Sequence, residues 1–149
     1  MNAIELLKSD HDKVDRLFQK VKATEESEHK ALFEKIKEEL EIHTHIEETI
    51  FYPKIKEEPE LEDIVLEGIE EHHQAKIFLR ELSALAEDSE KFEPKLKVLM
   101  EDITHHVQEE EGEMFPKCRK ADMDLADLAM QLAERKAELM EEEGEGQAA

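Results

Sequence analysis

The sequence predicts an all-α protein: an up-down-up-down four-helix bundle made of a duplicated helical hairpin, with an additional C-terminal helix. Three observations predict it. The 149 residues include only four Gly and four Pro, so long runs rich in Glu, Lys, Leu and Ala proceed without breakers. Apolar residues recur along those runs at steps of three and four, the period of a helix with one buried face. The chain also repeats itself. Pro53 and Pro116 are 63 residues apart, as are His43 and His106, while His11 and His72 are 61 apart.

The first helix starts after Asn2, with Glu5 placed to complete a capping box, and runs to about Lys22, with Ser9 and Asp10 as a candidate kink. The second follows Ser27 and is expected to stop before Pro53, since proline cannot continue a helix without losing a hydrogen bond. The third begins after Pro59 and reaches about Ala86. The fourth starts between Ser89 and Pro94 and is expected to stop before Pro116. A fifth helix is expected over about 124–142. Together these make one domain, residues 1–142, with a four-helix core at about 3–116 and a flexible acidic tail at 143–149. Short connections make neighbouring helices antiparallel.

Composition narrows the function. Formal net charge is −21, which opposes binding to nucleic-acid phosphates and to anionic membranes. Most of the acidity reads as a solvated coat on helix exteriors. No run approaches the ~18–20 apolar residues of a membrane span. The start of the sequence has no export-signal pattern, and the one cysteine, Cys118, cannot form an internal disulfide. These features lead to an expectation of a cytoplasmic protein.

The apolar stripes carry the chemistry. The first helix gives Ile4, Leu7, His11, Val14, Phe18 and Val21. The second gives Phe33, Ile36, Leu40, His43, Glu47 and Ile50. The third gives Val65, Ile69, His72, Ala75, Leu79 and Leu82. The fourth gives Leu96, Leu99, Ile103, His106, Glu110 and Met114. Four histidines and two glutamates therefore interrupt core-facing stripes. With a rise of 1.5 Å per residue, all four histidines lie about 15 Å from the same end of the bundle. The glutamates lie one turn nearer that end.

Burying a carboxylate without a partner is prohibitive. A bound cation compensates all six groups in one layer. Four imidazoles and two carboxylates exceed one tetrahedral zinc and suit two metal ions, with two histidines on each and Glu47 and Glu110 bridging. Mixed nitrogen and oxygen ligation with open positions suits iron or manganese and leaves zinc and copper open. His73 and His105 lie about 100° off the ligand face and read as solvated or as supports behind the ligands. His29 and His45 read as surface residues, and Tyr52 as an amphipathic residue capping the core.

The segments "DHDKVDRLF", "HTHIEETIFYP", "EEHHQAKIFLREL" and "HHVQEEEGEMFP" together resemble the hemerythrin family, in particular the bacterial hemerythrin-like HHE cation-binding domains. The resemblance covers about residues 3–120. It implies a four-helix bundle holding two iron ions in an oxo- or hydroxo-bridged centre, with His11, His43, His72 and His106 as terminal ligands and Glu47 and Glu110 as bridges. It departs at Lys76, where oxygen-carrying members have a further histidine. The vacancy speaks against dedicated oxygen carriage and for chemistry on a small diatomic or peroxide: oxygen, nitric oxide or hydrogen peroxide. Turnover would make the chain a di-iron oxidoreductase of peroxide or nitric oxide, served by a redox partner protein. The alternative expectation is a non-catalytic iron, oxygen or redox sensor acting through a partner.

Overall fold

The computed structural model describes residues 1–148, with side chains as far as Gly144. Helix α1 spans Ala3–Ala23 and is followed by a 3-10 turn, Glu26–Glu28. Helix α2 spans His29–Ile46, passes through a π-helical turn at Glu47–Phe51, and continues as the short α3, Tyr52–Ile55. A second 3-10 turn, Pro59–Leu61, leads into α4, Glu62–Ala84. Helix α5 spans Phe92–Glu109, passes through another π-helical turn at Glu110–Met114, and continues as α6, Phe115–Lys120. Helix α7 spans Leu125–Ala148. Among the described residues every regular element is helical.

The expected start of α1 is present: Asn2 accepts from the Glu5 N–H at 2.9 Å, and the Glu5 carboxylate accepts from the Asn2 N–H at 3.0 Å. The helix then runs uninterrupted through Ser9 and Asp10. Helix α7 extends past the expected end near 142. Of the expected flexible tail, Ala149 and the side chains from 145 onward lie outside the described residues.

The two expected proline stops are corrected by the structure. Each proline is preceded by a π turn in which Tyr52 N–H reaches Glu47 O, and Phe115 N–H reaches Glu110 O. Inside a regular helix a proline ring presses on the carbonyl four residues back. The wider turn relieves that contact, and each proline then enters at the start of a new helical segment, where a missing N–H costs little. The chain therefore continues helical beyond Pro53 and Pro116. One register consequence follows: Phe51 and Tyr52, not Ile50, take the buried face after Glu47.

Helices α1 and α2 pack as one hairpin and α4 and α5 as another, and α7 lies against α1 and α2. The apolar core comes in two blocks. One contains Ile4, Leu7, Phe51, Tyr52 and Phe115, and the other Phe18, Phe33, Leu40, Leu79 and Leu99. Between the blocks sits the polar layer. Among the described residues no helix is long and apolar enough to cross a membrane.

Candidate metal centre

All six expected residues converge, and each is at most 6% exposed. Two groups of ligand-type atoms each lie within 4.8 Å of one another: Glu47, His72, His106 and Glu110, and His11, His43 and Glu110. Each group could hold a metal ion, and Glu110 belongs to both. The four imidazoles all point Nε2 inward. His11 Nε2 is 3.1 Å from Glu110 Oε1, His43 Nε2 is 3.1 Å from Glu47 Oε1, and His72 Nε2 is 3.2 Å from the same Glu47 oxygen. His106 Nε2 is 3.4 Å from Glu110 Oε2.

Three of the four outward nitrogens are hydrogen-bonded to carboxylates. His11 Nδ1 lies 2.7 Å from Glu111, His43 Nδ1 3.0 Å from Asp10, and His106 Nδ1 2.6 Å from Glu71. His72 Nδ1 is 3.4 Å from Glu48 but is not aligned for a hydrogen bond. A carboxylate behind a ring fixes its tautomer and raises its basicity, the usual support of a metal histidine. These four carboxylates were not predicted, yet the repeat signalled them. Glu48 and Glu111 each follow a ligand-type glutamate, and Asp10 and Glu71 each precede a histidine of the pair spaced by 61.

With protons held outward on Nδ1 of His11, His43 and His106, their inward Nε2 atoms present lone pairs. His72 Nε2 and His106 Nε2 face each other at 3.2 Å, and two lone pairs at that distance require a proton or a cation between them. His43 Nε2 and Glu47 Oε2 are buried without a hydrogen-bond partner. The donor set therefore suits a cation. The electrostatics agree. Burial alone would lower the pKa of His43, but the charge of Glu47 and the Asp10 hydrogen bond outweigh it and hold the ring at about 10. Burial opposes His106 likewise, and Glu110 and Glu71 carry it to about 11. Rings this basic are strong donors to whatever positive species the site takes.

Tyr52 departs from its expected role as a core cap. The π turn carries its hydroxyl into the layer, where it donates to Glu110 Oε2 and lies 3.4 Å from His72 Nε2 and 3.5 Å from His106 Nε2. Burial, followed by the charges of Glu47 and Glu110, raises the phenol well above its ordinary value, so it stays protonated. Gly68 gives it room: a Cβ there would lie 3.1 Å from the Tyr52 hydroxyl oxygen.

The remaining histidines divide. His73 is exposed, and so is His105, which groups with the half-buried Glu71 and Glu109. His45 is half-buried. His29, expected at the surface, is 7% exposed and bonded on both nitrogens far from the centre. Lys76 turns away from the layer, its ammonium 2.6 Å from Glu48. Cys118 is buried, which together with the Glu110 charge pushes its thiol up to about 12.

A cavity of about 20 Å³ lies against the layer, lined by all four ligand-type histidines with Val14, Leu40, Thr44, Ile103 and Val107. Its size suits one water or one diatomic molecule.

The profile of the hemerythrin HHE cation binding domain family matches residues 2–118. A crystal structure of a hemerythrin HHE cation binding domain-containing protein from Mycobacterium kansasii superposes with a TM-score of 0.79 at 26% identity, covering 93% of this chain and 87% of that one. A curated protein of a Nostoc species, described as a DNA nickase, is 24% identical over 123 residues. That match takes in 80% of this chain and 34% of the relative, so the chain spans about a third of that protein's length.

Proposed function

The chain belongs to the hemerythrin HHE cation-binding domain family, and from that premise we propose that it holds two iron ions in the polar layer and binds or transforms a small ligand beside them. His72 and His106 hold one ion, His11 and His43 hold the other, and Glu47 and Glu110 bridge the pair. The observation that carries this reading is the arrangement of the rings: four inward Nε2 atoms, a carboxylate beside each Nδ1, Glu110 common to both ligand groups, and a Glu47 oxygen within 3.2 Å of both His43 and His72. When bound, the iron pair supplies open coordination positions and reversible redox chemistry.

The protein's own residues set the conditions for that chemistry. Asp10, Glu71 and Glu111 orient the imidazoles of His43, His106 and His11 and keep their Nε2 lone pairs inward, and Glu48 lies beside His72 Nδ1. Val14, Leu40, Ile103 and Val107 wall a cavity of about 20 Å³ beside the layer, room for a small ligand. Tyr52 holds a proton at its hydroxyl oxygen, on Glu110, within reach of the same layer. We do not carry over the nicking activity in the Nostoc protein's description: the match takes in only 34% of that protein, and a net charge of −21 disfavours approach to a phosphate backbone.

Metal analysis of protein purified without added metal tests the reading. The expected result is two iron ions per chain, with an absorption spectrum that bleaches on reduction, and loss of both ions in the Glu47→Ala/Glu110→Ala double variant. Full occupancy in that variant would overturn the bridging roles, and colourless zinc-loaded protein would overturn iron.

A further inference from the structure

We infer that Lys136, on the C-terminal helix beyond the residues the family profile matches, is a positioning residue for one half of the metal centre, acting through Asp10 on His43. The inference rests on the metal reading above and deepens it.

The contact is specific. The Lys136 ammonium donates to Asp10 Oδ1, and Asp10 Oδ2 accepts from His43 Nδ1 at 3.0 Å. Lysine heads are rarely buried unless paired, yet the Lys136 side chain is only 17% exposed. It reaches inward because α7 packs over α1 and α2.

Asp10 also differs from the other three carboxylates that back the histidines. The side chains of Glu111, Glu71 and Glu48 are 34%, 25% and 22% exposed, so water solvates part of each charge. The Asp10 side chain is 3% exposed. A sealed carboxylate needs a second partner besides one ring N–H, and Lys136 supplies it. With Oδ1 held by the ammonium, the carboxylate plane is fixed and Oδ2 stays on the ring. That keeps the His43 proton on Nδ1 and its lone pair on Nε2, facing the layer. Glu71 occupies the equivalent place in the second hairpin, 61 residues on, and backs His106 without a lysine. Helix α7 therefore supports one histidine of the four.

Cobalt(II)-loaded protein makes this visible by proton NMR in water, where each metal-bound imidazole gives one exchangeable, strongly shifted Nδ1–H signal. The wild-type protein should show four. In Lys136→Met one of the four should exchange with water faster, because the carboxylate behind that ring loses its second partner. Lys136→Arg should restore it. Asp10→Asn, which keeps the shape and removes the charge, should affect the same signal, and Arg135→Met, which removes a surface pair with Glu138, should affect none. Metal-free melts establish that each variant folds. Absence of shifted ring signals in the wild type would overturn the metal reading itself. Four unaltered signals in Lys136→Met, or four altered alike, would overturn the role of Lys136 and leave that reading standing.

Discussion

The two hairpins carry the same cage and different furniture. Each contributes an acid-histidine pair on its first helix, Asp10-His11 or Glu71-His72. Each contributes a histidine and two glutamates on its second, followed by a π turn that opens at the ligand-type glutamate. Where the halves differ, they differ in concert. Tyr52 in one corresponds to Phe115 in the other, and Gly68 corresponds to Leu7. Each aromatic ring stacks on the first histidine of the opposite half: Tyr52 on His72 at 5.3 Å between centroids, and Phe115 on His11 at 6.0 Å. Duplication thus builds a symmetric cage, and two paired substitutions place a single hydroxyl on one side of it. The lesson is that shared positions form the cage proposed to hold the cation and divergent positions give the site a direction.

Exchanging the aromatic residues should produce the largest effect. Phe115→Tyr adds a hydroxyl to a fully buried side chain where Leu7 stands in place of a glycine. It should destabilise the protein by about 2–3 kcal/mol. Tyr52→Phe removes the hydroxyl donor from buried Glu110 and should cost about 1–2 kcal/mol. Denaturant unfolding of both variants measures the difference. Equal costs would mean the halves are equivalent and the direction is illusory.

Gly68→Ala sharpens the same point. Alanine favours the helix by about 1 kcal/mol over glycine. The new Cβ, however, would lie 3.1 Å from the Tyr52 hydroxyl oxygen and 3.6 Å from His106 Cε1. Tyr52 is 1% exposed and hydrogen-bonded, so it has little room to yield, and crowding of this kind costs about 1–3 kcal/mol. The substitution should be destabilising by about 1 kcal/mol in the wild type and stabilising by a similar amount in Tyr52→Phe. A double-mutant cycle without coupling would separate Gly68 from the hydroxyl.

What the sequence revealed follows from what is periodic. The six cage residues lie on regular stripes, so helical steps of three and four found them. The π turns left no such trace: Pro53 and Pro116 read as stops because an inserted turn cannot be seen in spacing. That hid the role of Tyr52, which reaches the ligand layer only because the turn shifts the register by one residue. The backing carboxylates were visible in the repeat, but their neighbours on the helix surface looked the same. His29 was missed for another reason. Its burial comes from the end of α1 and from Glu93 on α5, contacts that its own helix does not encode.

The same two carbonyl positions end the first helix of each hairpin, and different cations cap them. His29 Nε2 lies 2.7 Å from Val21 O and 3.2 Å from Thr24 O. Lys30 Nζ lies 3.1 Å from Leu82 O and 3.3 Å from Leu85 O, the positions 61 residues on. Both caps suit the negative end of a helix, but only one of them is an imidazole. His29 Nδ1 also faces the Glu93 carboxylate at 2.7 Å. Every partner is an acceptor, so both ring nitrogens must donate and the bound form is the imidazolium. Burial works against that charge, and Glu93 with the carbonyls outweighs it, raising the pKa above its ordinary value. The stabilisation is therefore fully present below the unfolded value of about 6.5 and is lost as pH rises through the raised folded value. With Glu93 about a third exposed, its side chain 31% open, the loss should be about 1 kcal/mol. His29→Gln keeps amide donors for the carbonyls and has no proton to lose. The difference in unfolding free energy between wild type and this variant, measured on metal-loaded protein from pH 6 to pH 9, should shrink by that amount. A difference independent of pH would mean that His29 caps α1 as a neutral ring, leaving the two hairpin ends alike.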